Sequence, residues 1–374
     1  MMPSIQTSLA SLLCLSCVFA AGNVFAQKAW VVGQSAPLSG GNAAFGRDIR
    51  DGAAAYFKAV NARGGVGGAP IELVTLDDKN DRKLAGTNTQ QLLTTHGAVA
   101  LFGYASATLS LDAMPQAEKA GVLFFAPFSG ADPVRKPSPV VFTVRASYGD
   151  ELQKMVSFWT GLGLKQVVVV YYDDEVGKQN LAVVVDYLAR QGKKPSAFPL
   201  KRNAKLGAEE VNDLQKLKPD VIINTVLSGP AADISKHLVA KGSFIPMSSL
   251  SFIGAQQYIE AAGTAGAGVS ISQVVPNPGL SLPVVFECAK ALKEAGVTQA
   301  MNSAHLEACI AAKVLTEAMR RSKKTSDPKA LLASMSSLGA YDTGGFSVTY
   351  GPNQNHGSKY VELGMVTREQ KLRN

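Results

Sequence analysis

Short apolar runs alternate with segments of helical periodicity along most of this chain. From Ala29 to about Val275 the apolar runs are nearly continuous and rich in β-branched residues, which is typical of parallel strands covered on both faces. Strands that alternate with amphipathic helices indicate βαβ units. The pattern predicts an α/β protein with doubly wound parallel sheets and these strands: Ala29–Gln34, Ile71–Leu76, Val99–Gly103, Val122–Pro127, Val140–Arg145, Gln166–Tyr172, Ser196–Leu200, Val221–Val226, Pro246–Ser249 and Val269–Val275.

The first predicted helix has one apolar face and a clear end. Gly64 and Gly65 follow it, and glycine commonly ends a helix in the left-handed conformation. Its apolar residues recur at helical spacing, as expected for a helix that packs on a sheet: Ile49, Ala53, Tyr56, Phe57 and Val60.

Beyond Val275 the pattern becomes helical and then ends in strands. Ser326, Asp327 and Pro328 form a cap and first turn for the last helix. We predict helices over Val284–Ala295, Ser303–Ser322 and Pro328–Met335, then a strand pair, Phe346–Tyr350 with Tyr360–Val366, around the turn Gly351-Pro352-Asn353.

Length and composition favour a globular protein of two domains. The chain has 374 residues, more than one hydrophobic core usually organises. Apolar residues make up 46% and charged residues 18%, a balance typical of a folded α/β protein rather than a disordered one.

The first 26 residues have the features of an export signal. They contain no charged side chain and centre on the apolar stretch Leu9 to Ala21, followed by Val24-Phe25-Ala26 at a suitable cleavage site. We therefore expect a signal peptide over residues 1–26, cleavage before Gln27, and a periplasmic protein. No later segment offers about 18 uninterrupted apolar residues for a membrane span.

The charge of the chain is positive but diffuse. There are 37 Lys and Arg against 29 Asp and Glu, a net charge of +8. The basic residues are interspersed with acids, as in the stretch from Asp77 to Lys83, and no basic stripe with aromatic residues is present. Nucleic acid is therefore not an expected partner.

No constellation of residues predicts catalysis, a cofactor or a metal. The four histidines are scattered, and only His305 has a ligand type, Cys309, at helical spacing. Acidic groups follow two strands at Asp77-Asp78 and at Asp173–Glu175, where helix capping is the favoured role and catalysis the alternative. We predict no catalytic residue, no cofactor and no metal ligand.

The cysteines suggest one crosslink. Removal of the signal takes Cys14 and Cys17, which leaves Cys288 and Cys309 on consecutive predicted helices. In an oxidising compartment a disulfide between them is favoured over two buried thiols.

Several motifs resemble the branched-chain amino acid binding family of type I periplasmic binding proteins. They include Val32–Gly40, Ala44–Asp48, Asn61–Gly68, Thr75–Asp78 and Ser272–Pro276. The resemblance covers essentially the whole mature chain and implies two lobes joined by three crossovers, placed near Arg145–Asp150, Gln273–Pro276 and Gly339–Gly345. The implied lobes are 27–147 plus 275–340 and 148–274 plus 341–374.

The resemblance also implies where a ligand binds. In that family two loops of the first lobe meet the ligand carboxylate with hydroxyls and backbone amides, and here both loops lead from strands toward helices, whose N-termini favour anions. The candidate residues are Tyr104, Ser106, Ala107 and Thr108 in one loop and Phe128, Ser129 and Gly130 in the other. Phe45 is either the family's aromatic residue over the ligand or a core residue.

The second wall departs from the family. Amino-acid binders carry an acid for the ligand ammonium where this chain has Leu250, and tyrosines of the wall are replaced by Val176 and Leu227. We expect a more apolar cleft for a small organic carboxylate, with Asp150 or Asp174 as the remaining candidates to pair an ammonium. Tyr148 and Phe252 complete the predicted site.

The function implied is solute capture for an ABC importer. The expected partners are a small organic ligand and the membrane permease, with the binding protein as a monomer. A ligand-sensing module that acts through a separate partner is the first alternative, and an exported enzyme is the second. An enzyme would need the catalytic residues that the sequence does not show.

Overall fold

A computed structural model describes residues 28–40, 42–202, 206–324 and 326–373. The predicted signal peptide over residues 1–26 lies outside this part of the chain. Within it, no helix is both long enough and apolar enough to cross a membrane.

The first lobe is built on a five-stranded parallel sheet in the order β2-β1-β3-β4-β5. Its strands are β1 Trp30–Ala36, β2 Ile71–Asp77, β3 Ala100–Phe102, β4 Leu123–Phe125 and β5 Val141–Phe142. The connecting helices are α1 Ala43–Asn61, α2 Arg82–Thr94 and α3 Ala107–Ala120.

The second lobe is built on a seven-stranded sheet that is mostly parallel. Its first elements are α4 Tyr148–Gly161, β6 Val167–Tyr172, α5 Glu175–Ala189, β7 Ser196–Leu200, α6 Ala208–Lys216, β8 Val221–Thr225, α7 Ser228–Ala240, β9 Met247–Ser249, α8 Ala255–Ala262 and β10 Ser270–Gln273. All six residues of β6 are buried, which explains its continuous Val-Val-Val-Val-Tyr-Tyr sequence.

The chain then returns to the first lobe and finally to the second. The remaining elements are α9 Pro283–Ala295, α10 Ser303–Ser322, α11 Pro328–Ser336, β11 Gly339–Asp342, β12 Ser347–Tyr350, β13 Glu362–Val366 and β14 Leu372–Arg373. Strands β13 and β14 complete the second sheet in the order β14-β13-β10-β9-β8-β6-β7, with β13 antiparallel to β10.

Helices α1 and α10 pack closely against each other in the first lobe. A Cβ atom at Gly52 would lie 2.3 Å from the carbonyl oxygen of His305, so only glycine allows the two backbones this close. Cys288 of α9 and Cys309 of α10 are joined by a disulfide, with their Cα atoms 5.9 Å apart. The bond lies in the first-lobe core.

The last strands do not pair as the sequence pattern suggests. Strand β12 pairs with β11 as an antiparallel ribbon, whereas β13 pairs with β10, so the predicted hairpin of Phe346–Tyr350 with Tyr360–Val366 is wrong. Val348 and Tyr350 are buried in the first-lobe core, and the Tyr350 ring lies 5.9 Å from that of Phe142.

The third crossover consequently comes later than predicted. After β12 the chain stays on the first lobe, where the amide of Gly357 donates to the carbonyl of Thr143 at 2.8 Å. It joins the second sheet only at Glu362. The crossover placed near Gly339–Gly345 is therefore corrected to about 358–361, and the stretch from residue 341 to residue 357 belongs with the first lobe rather than the second.

Candidate functional site

A cavity of about 220 Å³ lies between the two lobes. The first lobe contributes Asn42, Asn80, the start of α3 and Phe128, and the second lobe contributes the C-terminal ends of its strands with the segments that follow them. Open α/β sheets bind ligands at these strand ends. The lining residues are Asn42, Asn80, Ala105, Ser106, Ala107, Thr108, Leu109, Phe128, Tyr148, Tyr172, Val176, Gly177, Asn180, Arg202, Thr225, Leu227 and Phe252.

The first lobe presents the N-terminus of α3 to this cavity. Ser106 is the N-cap, and its hydroxyl accepts from the amide of Leu109 at 3.3 Å. The first intrahelical bond runs from the amide of Ser110 to the carbonyl of Ser106, so the amides of Ala107 and Thr108 precede it. Free amides at a helix N-terminus, together with the helix dipole, favour an anion such as a carboxylate.

Aromatic side chains form the apolar part of the lining. Phe128 comes from the first lobe, and Tyr148 and Phe252 come from the second, with their rings 5.4 Å apart. The hydroxyl of Tyr148 accepts from Ser129 at 3.3 Å, and burial raises its pKa to about 12. The ring therefore stays neutral and offers an apolar face to a ligand.

The two lobes also touch directly beside the cavity. The amide of Tyr148 donates to the carbonyl of Gly130 at 2.8 Å. A Cβ atom at Gly130 would lie 2.7 Å from the ring and from the amide nitrogen of Tyr148. The absence of a side chain at this position allows the lobes to approach as closely as they do.

The second lobe adds a cation and an amide. The Nε of Arg202 donates to Asp174 at 2.6 Å, and its guanidinium lies 4.5 Å above the ring of Tyr172. Asn180 of α5 lines the cavity and is only 5% exposed. The hydroxyl of Tyr172 accepts from the amide of Leu227 at 3.3 Å.

The lining carries one cation, which is paired with Asp174 outside the lining. Arg202 is the one ionised side chain among the lining residues that the structure describes, and no carboxylate is among them. An anionic or neutral ligand group therefore meets complementary partners, whereas a ligand ammonium would lack a counter-ion in the lining.

Half of the predicted site residues lie in this lining. They are Ser106, Ala107, Thr108, Phe128, Tyr148, Leu227 and Phe252. The first-lobe members start a helix or follow a strand in the way the sequence indicates, and Leu227 and Phe252 lie just beyond β8 and β9.

Three residues of the first lobe lie behind the lining instead. Tyr104 is fully buried, and its hydroxyl pairs with Thr89 at 2.7 Å. Ser129 is also fully buried and accepts from the amide of Ala131 at 3.2 Å, and Gly130 contacts Tyr148 as described. These residues shape the cavity but do not face it.

Phe45 lies outside the cavity as well. Its ring packs edge-to-face on Phe128 with the centroids 6.1 Å apart, and it faces a smaller gap beside Arg145 and Gly254. Phe45 therefore supports the aromatic wall from behind as a core residue of the first lobe.

The second-lobe acids and Leu250 have structural roles. Asp150 caps α4 with Ser147, and Asp174 caps α5 by accepting from the amide of Gly177 at 2.9 Å. Leu250 is fully buried in a hydrophobic core. Neither acid lines the cavity, so neither is placed to pair a ligand ammonium there.

Several lining residues do not stand out in the sequence. Tyr172, Thr225 and Arg202 lie at or just after the ends of β6, β8 and β7, so strand ends are a signal that points to them. Asn180 lies on the second turn of α5 and has no such signal.

Metal binding has no support in the described ranges. Among them, no group of three or more His, Cys, Asp or Glu side chains is arranged to hold a metal ion.

Comparison with known proteins shows the family of the chain. The family model described as periplasmic binding protein matches residues 29–371. The chain therefore belongs to the periplasmic binding protein family, and the resemblance inferred from its motifs is confirmed at this level.

Solved structures share the fold. A possible leucine/isoleucine/valine-binding protein from Rhodopirellula baltica has a TM-score of 0.88 at 24% identity, covering 95% of this chain and 98% of that chain. A substrate-binding periplasmic protein from Ralstonia solanacearum has a TM-score of 0.86 at 29% identity, covering 92% and 99% respectively. The predicted type I fold of two α/β lobes is confirmed.

The similarity to curated proteins is more local. An amino acid binding protein from Pseudomonas aeruginosa is 31% identical over 99 residues, which is 26% of this chain and 26% of that protein. The matched part thus spans about a quarter of the relative's length.

Proposed function

We propose that this protein is the exported solute-binding component of an ABC importer and that it captures a small organic carboxylate in the cavity between its lobes. The observation that carries the proposal is the N-terminus of α3, with the amides of Ala107 and Thr108 facing an aromatic cavity. The protein acts in the periplasm as a monomer after loss of residues 1–26 and delivers its ligand to a membrane permease.

An α-amino group is not required of the ligand. No acid lines the cavity in the described chain, and the family's acidic position holds the buried Leu250. Burying an ammonium without a partner costs several kcal/mol. This cost distinguishes the proposed ligand from the amino acids named for similar proteins.

Matched ligand pairs test this proposal. Leucine is compared with 4-methylpentanoate, and phenylalanine with 3-phenylpropanoate, by thermal unfolding and calorimetry. A ligand at about 100 times its Kd stabilises the folded protein by roughly 2.7 kcal/mol. We expect a carboxylate to stabilise the protein at least as well as its amino acid.

Two results would contradict the proposal. Stabilisation by the amino acids alone would require an ammonium partner that the cavity lining does not provide. Conversion of the ligand, detected by mass spectrometry after incubation, would favour an exported enzyme over a binding protein.

A further inference from the structure

Asn180 has hydrogen-bonding capacity that the protein does not use. Its side chain is 5% exposed and lines the cavity, yet it forms no hydrogen bond to the part of the chain that the structure describes. Its amide atoms are accessible from the cavity rather than enclosed in the core. Without ligand, water in the cavity can hydrogen-bond to this amide, and a ligand group that replaces the water is its natural partner.

Arg202 is held in place but keeps free donors. Asp174 accepts from its Nε at 2.6 Å and is itself fixed by the amide of Gly177 at 2.9 Å. The guanidinium lies over the Tyr172 ring, 4.5 Å from the centroid. Its two terminal nitrogens form no hydrogen bond to the described residues, so they are available to a ligand in the cavity that Arg202 lines.

These two residues belong to the lobe opposite the α3 N-terminus. Asn180 is on the helix that follows β6, and Arg202 follows β7 directly beside it in the sheet. The first lobe thus offers amides for one carboxylate, and the second lobe offers the Asn180 amide and the Arg202 terminal nitrogens across an aromatic lining. A ligand with only one polar end would leave the Asn180 amide and the Arg202 terminal nitrogens without a ligand partner.

We propose that the ligand carries a second oxygen acceptor at the end opposite its carboxylate, and that Asn180 and Arg202 recognise it. This inference rests on the proposed function, because it takes the α3 N-terminus as the site of the first carboxylate. The ligand class is a bifunctional carboxylate with an apolar or aromatic body. The second acceptor is a hydroxyl or a second carboxylate, both of which accept from guanidinium and amide groups.

Three ligands with one common body test the second anchor by calorimetry. They are 3-phenylpropanoate, 3-(4-hydroxyphenyl)propanoate and 3-(4-carboxyphenyl)propanoate. We expect at least one of the two substituted compounds to bind about tenfold or more tightly than the parent. The compound that shows the gain identifies the second acceptor as a hydroxyl or as a carboxylate.

Variants attribute the gain to the two residues. Asn180→Ala and Arg202→Gln should each remove most of it, so that the substituted compound and 3-phenylpropanoate bind to the same variant with affinities within about threefold of each other. Gln179→Ala and Arg190→Gln are matched controls, since neither residue lines the cavity, and both should keep the gain. Thermal unfolding of each variant without ligand shows whether it is folded.

The outcomes separate this inference from the proposed function. If 3-phenylpropanoate binds and neither substituent adds affinity, or if the gain survives in both variants, the second anchor is wrong while carboxylate capture stands. If none of these compounds binds and only amino acids do, the proposed function itself fails. Asn180→Asp provides one further check, because a carboxylate there should weaken the 4-carboxy compound more than the parent.

Discussion

Asp78 is a buried carboxyl group at the end of β2. It is fully buried and accepts from the hydroxyl of Ser35 and from the amide of Asn80, each at 2.9 Å. Burial outweighs these hydrogen bonds and raises its pKa to about 6, above the ordinary value of 3.8. Compared with the unfolded chain, the folded protein therefore favours the neutral carboxyl group, which ionises as the pH rises through about 6.

This pKa shift predicts how stability changes with pH. Because the folded pKa is raised, the contribution of Asp78 is fully present below the unfolded pKa, near 4, and is lost as pH rises through about 6. Asp78→Asn keeps the shape of the side chain without the charge. We expect the difference in free energy of unfolding, variant minus wild type, to increase by about 2 kcal/mol between pH 4 and pH 7, as measured by urea titration.

Asp220 gives a control of opposite sign. Its exposed carboxylate accepts from the amides of Lys165 and Gln166, which lowers its pKa. Because the folded pKa is lowered, Asp220→Asn should lose stability relative to wild type as the pH rises towards the unfolded pKa of 3.8, and should change little between pH 4 and pH 7. The same pH trend in both variants would contradict the role assigned to the burial of Asp78.

The residues of the first-lobe wall were easier to predict than those of the second. Ser106 and Thr108 begin a helix after a short buried strand, and such a position is visible in sequence. Asn180 and Arg202 are ordinary polar residues in sequence, and only the folding of two strands beside each other brings them to one cavity. Tyr104 follows its strand as a loop residue would, but its side chain turns back to Thr89 in the core.

At the scale of elements, helices and strands marked by a cap or a continuous apolar face in the local sequence were predicted best. Helix α10 spans Ser303–Ser322 as predicted, because Asn302 caps its start and the apolar face is continuous. Strands β12 and β13 are consecutive along the chain, but this did not predict which strands they pair with. Their pairing depends on which core buries each strand, and Val348 and Tyr350 fit the first lobe whereas Val366 fits the second.

The disulfide between α9 and α10 predicts a measurable loss when it is removed. It closes a loop with a sequence separation of 21 residues, so the crosslink restricts the unfolded chain. The double variant Cys288→Ala/Cys309→Ala should lose about 2–4 kcal/mol of unfolding free energy in urea. Ligand affinity should not change, because neither cysteine lines the cavity.

Reduced wild-type protein is the control for this variant, since it loses the crosslink and keeps both sulfur atoms in the core. Thiol titration of the denatured, unreduced periplasmic protein provides an independent measurement. Two reactive thiols per chain in that titration would show that the bond is absent from the protein as it is made.

At the scale of the whole molecule, buried polar contacts join the lobes at the crossovers. Arg145 donates from Nε and Nη2 to Glu307 of the first lobe, at 2.8 and 2.6 Å, and from Nη1 to Ser251 of the second lobe at 3.3 Å. Within the second lobe, Glu151 of α4 accepts from the amide of Ser251 at 2.8 Å and so fixes the residue that Arg145 contacts. These bonds lie near the hinge, where a rotation of the lobes moves atoms least.

The lobes are also joined by a bond between Gln257 and Asp48. The Nε2 of Gln257, on α8, donates to Oδ2 of Asp48, on α1, at 2.9 Å, and neither residue lines the ligand cavity. Separation of the lobes would break this bond and expose both groups to water. It therefore stabilises the arrangement with the lobes together, and a ligand that contacts both lobes favours the same arrangement.

We expect Gln257→Ala to weaken ligand binding by about tenfold without a change in the cavity, since a hydrogen bond to a charged group contributes about 1.5–3 kcal/mol. Part of this hydrogen-bond contribution is recovered when water solvates Asp48 in the variant. Calorimetry with the tightest-binding carboxylate measures the affinity. In X-ray scattering, ligand should reduce the radius of gyration of the wild-type protein. The variant should need a higher ligand concentration for the same reduction. Gln256→Ala is the control, because among the described residues the side chain of Gln256 bonds only to Glu260 of its own helix. Equal affinities in both variants, or scattering profiles that ligand leaves unchanged, would show that binding does not depend on closure of the lobes.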